Sequence, residues 1–225
     1  MKKTKIDWCD STLNPVIGCK NGCPYCYART LNNRFKFIPK WEEPQFFFKR
    51  LLELNSKKPR SIFMDSMSDI GHWENEWLVR TFDEIICNSQ HAYIFLTKNS
   101  YGRHIDYIKG LRSAKLLPNV FIGKSVTHSC EVSLGFFDFF SVEPILAPIR
   151  LTLKYAGVRA VIVGAETGNR KDKVVPEKWW IDDIVEECDE NGVAVFMKES
   201  LRELMGKDFR QDKLPWYDWI ERNHL

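Results

Sequence analysis

Six short apolar runs punctuate the later part of the chain, at 61–65, 93–97, 120–123, 139–142, 160–164 and 193–197. Each is nearly continuous in apolar character and about five residues long, which is how strands buried on both faces of a parallel sheet read. Amphipathic stretches lie between them. Over 77–86, Leu78, Phe82, Ile85 and Ile86 recur at helical spacing, and over 178–190 Ile181, Ile184, Val185 and Cys188 do the same. Cys188 thus reads as a small buried hydrophobe. A further strand is expected at 12–17, just before a cysteine-rich loop, which brings the strands to seven. Strands alternating with helices require right-handed crossovers and a parallel sheet covered by helices. At 225 residues the chain is shorter than the ~250 of a complete (β/α)8 barrel. The expectation is an α/β fold, a partial and open (β/α) barrel. No Gly-, Pro- or Ser-rich linker and no repeat divides it, so residues 1–225 are expected to form a single domain.

Composition adds modest constraints. The 44% apolar content is that of an ordinary globular protein, and no run approaches the roughly 20 apolar residues of a membrane span. The N-terminal lysines are not followed by an apolar stretch, so a cytoplasmic protein with no membrane partner is expected. A net charge of +3 permits nucleic-acid contact without arguing for it. In a reducing compartment the seven cysteines are not expected to pair as disulfides. Cys9, Cys87, Cys130 and Cys188 are scattered, but Cys19, Cys23 and Cys26 fall within eight residues.

That cluster carries the chemistry. Three thiolates in a Gly-rich turn can converge on one metal centre, and soft ligands select zinc or iron–sulfur. Structural zinc sites usually take four protein ligands, often as two separated pairs, and no second such pair follows in the chain. A four-iron cubane on three cysteines leaves one iron open to an exchangeable ligand.

Cys19-x3-Cys23-x2-Cys26, with Tyr25 immediately before the last cysteine, resembles the signature of the radical SAM superfamily. More of the chain resembles one group of small phage and bacterial proteins of unknown function. The matching segments are Ile6-Asp7-Trp8, Asn14-Pro15, Ser66-Met67-Ser68-Asp69, Leu96-Thr97-Lys98, Ser141 to Leu146 and Gly164-Ala165-Glu166-Thr167-Gly168. The cysteine segment alone is also similar to spore photoproduct lyase. The resemblance implies a barrel of radical SAM type, a partial TIM barrel, with a 4Fe–4S cluster on Cys19, Cys23 and Cys26. It also implies that S-adenosyl-L-methionine is bound at the open iron and cleaved to a 5′-deoxyadenosyl radical. An electron donor such as flavodoxin or ferredoxin would then be a partner. The substrate is unknown; DNA, RNA or a nucleobase is the first expectation.

Residues just past each strand would line the mouth of such a barrel. The resemblance makes Asp65, Ser66, Ser68 and Asp69 candidates for holding the methionyl ammonium group, and Ser125 for its carboxylate or the ribose. A plain helix cap is the other reading of Ser68 and Asp69. Thr97 and Lys98 end the third expected strand, where Lys98 suits a carboxylate or phosphate or is a solvated helix-entry residue. Glu143 needs a partner if buried, either a ligand or a neighbouring lysine. Gly164 and Glu166 lie in a Gly-rich turn that allows close backbone approach to a ligand. Lys198 is expected to face the substrate opening. Cys130 is placed as a hydrogen-atom donor by analogy with spore photoproduct lyase, or as an ordinary loop cysteine. Basic stretches at 57–60 and 170–173, joined by Trp41, Trp179, Trp180 and Trp216, read as solvated loops or as a stacking surface. The rival from another class is a non-catalytic iron–sulfur or zinc module closed by Cys9 as fourth ligand.

Overall fold

The computed structural model describes residues 4–99, 103–129, 137–168 and 170–224. Seven strands form one parallel sheet, curled into a half-barrel, in the order β1-β4-β5-β6-β7-β8-β9. They are β1 (Ser11–Thr12), β4 (Ser61–Phe63), β5 (Ala92–Thr97), β6 (Val120–Ser125), β7 (Phe139–Val142), β8 (Ala160–Val163) and β9 (Ala194–Met197). A separate antiparallel pair joins β2 (Val16–Ile17) to β3 (Gln45–Phe46). The six apolar runs all lie in the sheet.

The single strand expected at 12–17 is two strands instead. Pro15 lacks an N–H and cannot continue a ladder. The chain therefore leaves the sheet after Thr12, and Val16–Ile17 pairs away from it. Asn14, at the break, accepts from Ser66 Oγ (3.0 Å) and Met67 N–H (2.9 Å), so the interruption anchors the turn after β4.

The helices are α1 (Tyr27–Phe35), α2 (Asn75–Cys87), α3 (Arg103–Ser113), α4 (Lys178–Glu190), the one-turn α5 (Arg202–Met205) and α6 (Pro215–His224). α4 has the boundaries expected, with Ile181, Ile184 and Cys188 buried. In α2 the stripe is Leu78, Phe82 and Ile85; Ile86, at its edge, is exposed. The strand–helix alternation is incomplete, since only a short 3-10 turn, Leu153–Tyr155, precedes β8.

Period-two alternation sorts strand residues into two cores. Tyr93, Phe95, Ile122, Phe140 and Val161 pack outward against α2, α3 and α4. Ile94, Phe121, Phe139, Ile162 and Phe196 point to the concave side, where Trp8, Leu214 and Trp216 fill the trough. The two termini therefore plug the half-barrel. Trp216 Nε1 donates to Trp8 O (2.9 Å), and Glu199 N–H donates to Asp7 Oδ2 (3.1 Å).

Candidate functional site

Each concave-facing series changes character toward its C-terminal end. Phe63 is followed two residues on by Asp65, Leu96 by Lys98, Gly123 by Ser125, Ser141 by Glu143 and Phe196 by Lys198. The lower half of the trough is apolar core, and the upper half opens into a cavity of about 360 Å3 within the range of small-molecule sites. Parallel strands deliver all these side chains to one end, the face where barrel enzymes assemble their sites.

Cys19, Cys23 and Cys26 border that cavity together with Tyr25. Gly18 brings the chain in at φ 111°, where a Cβ would meet Pro44 Cα at 2.7 Å and Trp41 O at 2.8 Å. Only glycine fits there. Cys19 N–H then bonds to Trp41 O (3.0 Å), tying the loop to the segment before β3. Cys26 caps α1, its Sγ accepting from Arg29 N–H (3.3 Å), while Arg29 Nη2 donates to Cys23 O (2.8 Å). Burial pushes the Cys19 thiol up to about 12, and the nearby Asp69 charge adds to the shift. Cys26 is also raised by burial. The raised thiols of Cys19 and Cys26 resist ionisation unless a cation joins them. Among the described residues no three His, Cys, Asp or Glu side chains are drawn together tightly enough to share a single metal ion.

Asp69 is the hub beside the loop. Its Oδ2 accepts from Asn21 Nδ2 (2.7 Å) and Lys98 N–H (3.0 Å), and its Oδ1 from Thr97 Oγ1 (2.7 Å) and Gly71 N–H (2.8 Å). It caps the 3-10 turn Ile70–His72, as the plain reading of this turn has it. Asp65 accepts Leu96 N–H (3.0 Å) and Ile70 N–H (3.3 Å), and burial raises its carboxyl well above the usual range. Both carboxylates touch the cavity. Their oxygens are nevertheless engaged in holding the turn, the loop and β5 together.

Ser66, Ser68, Lys98 and Ser125 also border the cavity. Ser68 Oγ accepts from Trp73 Nε1 (3.0 Å), and the Lys98 ammonium lies 5.6 Å from the Tyr25 ring centroid. Glu143 and Lys198 face each other across the cavity wall as an ion pair, both partly exposed to it. Gly164 is the notch that admits them, because a Cβ there would come within 2.9 Å of Lys198 Cδ and 3.4 Å of Glu143 Cγ.

Other expected positions lie elsewhere. Thr97 is buried with its hydroxyl committed to Asp69 and does not border the cavity. Glu166 sits outside it too, gripped by Arg170 at 2.6 and 2.7 Å; that guanidinium holds its carboxyl below the usual range. Cys130 lies outside the described residues. Cys9 is buried in the concave core and borders a different cavity, at the opposite end of the strands. Of the two readings of the basic stretches, the stacking surface built on all four tryptophans does not form, since Trp41 and Trp216 are buried. Cys9, Cys19, Cys23, Cys26, Cys87 and Cys188 are all free thiols.

Three contributors escaped the sequence reading. His72 Nδ1 lies 3.6 Å from Cys19 Sγ and accepts Lys20 N–H (3.3 Å); nothing in its spacing marks it. Ser141 borders the cavity midway between Phe139 and Glu143, and the period-two pattern of β7 would have found it. Trp8 also borders the cavity, is 1% exposed, and its indole N–H has no hydrogen-bond partner among the described residues.

Fold and site together define an α/β half-barrel protein with a cysteine-lined cavity at the C-terminal ends of its strands. The chain belongs to the family described as "Protein of unknown function (DUF5131)", whose model matches residues 3–202. No curated protein and no solved structure matches it. This corrects the assignment to the radical SAM superfamily: the match that spans the chain is to DUF5131, and no radical SAM family model matches. A cysteine spacing of eight residues is too short a feature to carry membership for 225. Nor do the comparisons tie the chain to phages.

Proposed function

We propose that Cys19, Cys23 and Cys26 hold a 4Fe–4S cluster and that the cavity beside it binds S-adenosylmethionine for reductive cleavage. The observation that supports this most is that three cysteines, with no fourth beside them among the described residues, border a cavity walled by hydroxyls and a carboxylate–ammonium pair. The donor set suits the group: thiolates select iron–sulfur, and a cubane takes them at separate corners, wider apart than the ligands of one ion. When bound, such a cluster supplies the electron that cleaves the sulfonium to methionine and a 5′-deoxyadenosyl radical.

The chain's own groups have distinct tasks. Asp69, through Asn21, fixes the cysteine loop against the end of β5. Glu143 and Lys198 present both charges that an α-amino acid moiety matches, and their mutual pairing keeps each satisfied while the site is empty of ligand. Ser66, Ser125 and Ser141 offer hydroxyls to the ligand, and the unpartnered Trp8 indole offers a donor at the cavity floor. Anaerobic reconstitution, reduction and chromatography with S-adenosylmethionine test the reading: 5′-deoxyadenosine is the expected product, and its absence from a loaded, reducible protein would sink it. Glu166→Gln, which touches only the Arg170 loop, should leave that yield unchanged while Val174 amide exchange quickens, because Glu166 accepts its N–H (3.4 Å).

One observation favours a second reading. His72 lies beside Cys19, and a Cys3His zinc module, closed and without an open position, would form if the loop drew tighter than the described side chains stand, since no three of them are near enough to share one ion. Metal analysis separates the two: about four irons per chain supports the first, whereas one zinc lost in His72→Ala supports the second.

A further inference from the structure

We propose that the outer face of α1 and the segment after it form a track for single-stranded nucleic acid, leading a base into the cavity. This rests on the cleavage reading only in making the strand a substrate; the binding itself does not need it.

Tyr27, Leu31 and Arg34 fall on the side of α1 turned away from its buried residues Ala28 and Asn32. Phe35 and Phe37 continue the surface. Tyr27 and Phe35 are each 54% exposed and Phe37 46%, unusual for aromatic side chains grouped in one place. Phe35 and Phe37 stand 5.7 Å apart between ring centroids, and the Arg34 guanidinium lies 5.0 Å from the Phe35 ring. Charge is segregated here although the whole chain is nearly balanced, with 33 basic and 30 acidic residues. Between Asp10 and Glu42 there is no acidic residue, while Lys20, Arg29, Arg34, Lys36 and Lys40 are all basic. Exposed rings interleaved with cations are what a flexible polyanion with stacking bases requires.

The track is continuous with the site. Cys26 caps α1, and Tyr27, the first helical residue, borders the cavity. From Tyr27 to Phe35 the helix rises about 12 Å, room for about three nucleotides at ~3.4 Å each. A linear surface that begins at the cavity suits a polymer whose reacting unit enters it, better than it suits a globular partner. A duplex would have to give up stacking to use the rings.

The test is fluorescence anisotropy of a labelled oligothymidylate of about 15 nucleotides, titrated with the full-length protein at several salt concentrations. Salt-dependent binding is expected. Phe35→Ala and Phe37→Ala should each weaken it about tenfold with the salt slope unchanged, and Arg34→Ala should make the slope shallower by about 0.7. All three side chains are exposed, so the fold should survive, which circular dichroism checks. No binding at low salt, equal affinity for duplex, or binding indifferent to all three substitutions would overturn the proposal. So would an unchanged oligonucleotide affinity accompanied by slower reduction by an acidic flavodoxin, which would make this face a redox-partner surface. A failed 5′-deoxyadenosine assay leaves the binding result standing, and the reverse holds too.

Discussion

Cys19→Ala, Cys23→Ala and Cys26→Ala proteins, reconstituted anaerobically, will each lose the visible iron–sulfur absorbance and release no 5′-deoxyadenosine. Two thiolates cannot secure a cubane that three are proposed to hold, and no described cysteine is placed to substitute. Cys9→Ser, by contrast, should retain iron and product. Cys9 is 6% exposed within the concave core, at the far end of the strands from the cavity, and burial keeps its thiol raised and protonated. His72→Ala should also retain the iron, because the imidazole touches one sulfur of the set rather than completing it. Collapse of iron content in Cys9→Ser or His72→Ala would mean a fourth protein ligand and a closed centre. Iron content and ultraviolet–visible spectra decide among these outcomes without reference to turnover.

Trp216→Ala will destabilise the protein by about 3–5 kcal/mol, lowering the melting temperature by roughly 10 °C in a chain of this size. Trp216 is fully buried, with its ring centroid 5.1 Å from Phe139 and 6.0 Å from Phe121 and Trp8. It fills the trough that a half-barrel leaves open. Truncation also removes the donor to Trp8 O, loosening the N-terminal segment that floors the cavity. Trp216→Phe keeps most of the buried area and should cost about 1 kcal/mol, near the value of the lost hydrogen bond. Thermal melts by circular dichroism separate the two variants. A shift of only a degree or two in Trp216→Ala would show that the concave face is not a packed core.

Both expectations show how far local pattern reaches. Continuous apolar runs gave the six later strands, because a strand buried on both sides has no polar face to obscure it. The same runs pointed to Asp65, Lys98, Ser125, Glu143 and Lys198, since parallel strands bring the residues after them to one end. The first strand was misread because apolar character at 12–17 spans Pro15, whose missing N–H breaks the ladder. Ile86 was misplaced by its position at the edge of a helical stripe. Asp69 and Thr97 were legible as polar, but their bonding to one another depends on two strand ends being adjacent.

The amino-acid sequence by itself determined the six later strands, the parallel α/β class, and a trio of cysteines in a tight Gly-rich loop. Periodicity and ligand chemistry are local properties, and they survive any arrangement of the rest. Only the tertiary structure decided that Cys9 lies at the opposite end of the sheet, that His72 meets Cys19, that Trp8 and Trp216 fill the trough, and that Gly164 makes room for Glu143 and Lys198. These arrangements join residues from about 20 to about 200 positions apart. They follow from how the sheet curls and what the termini must cover, which no window of sequence contains.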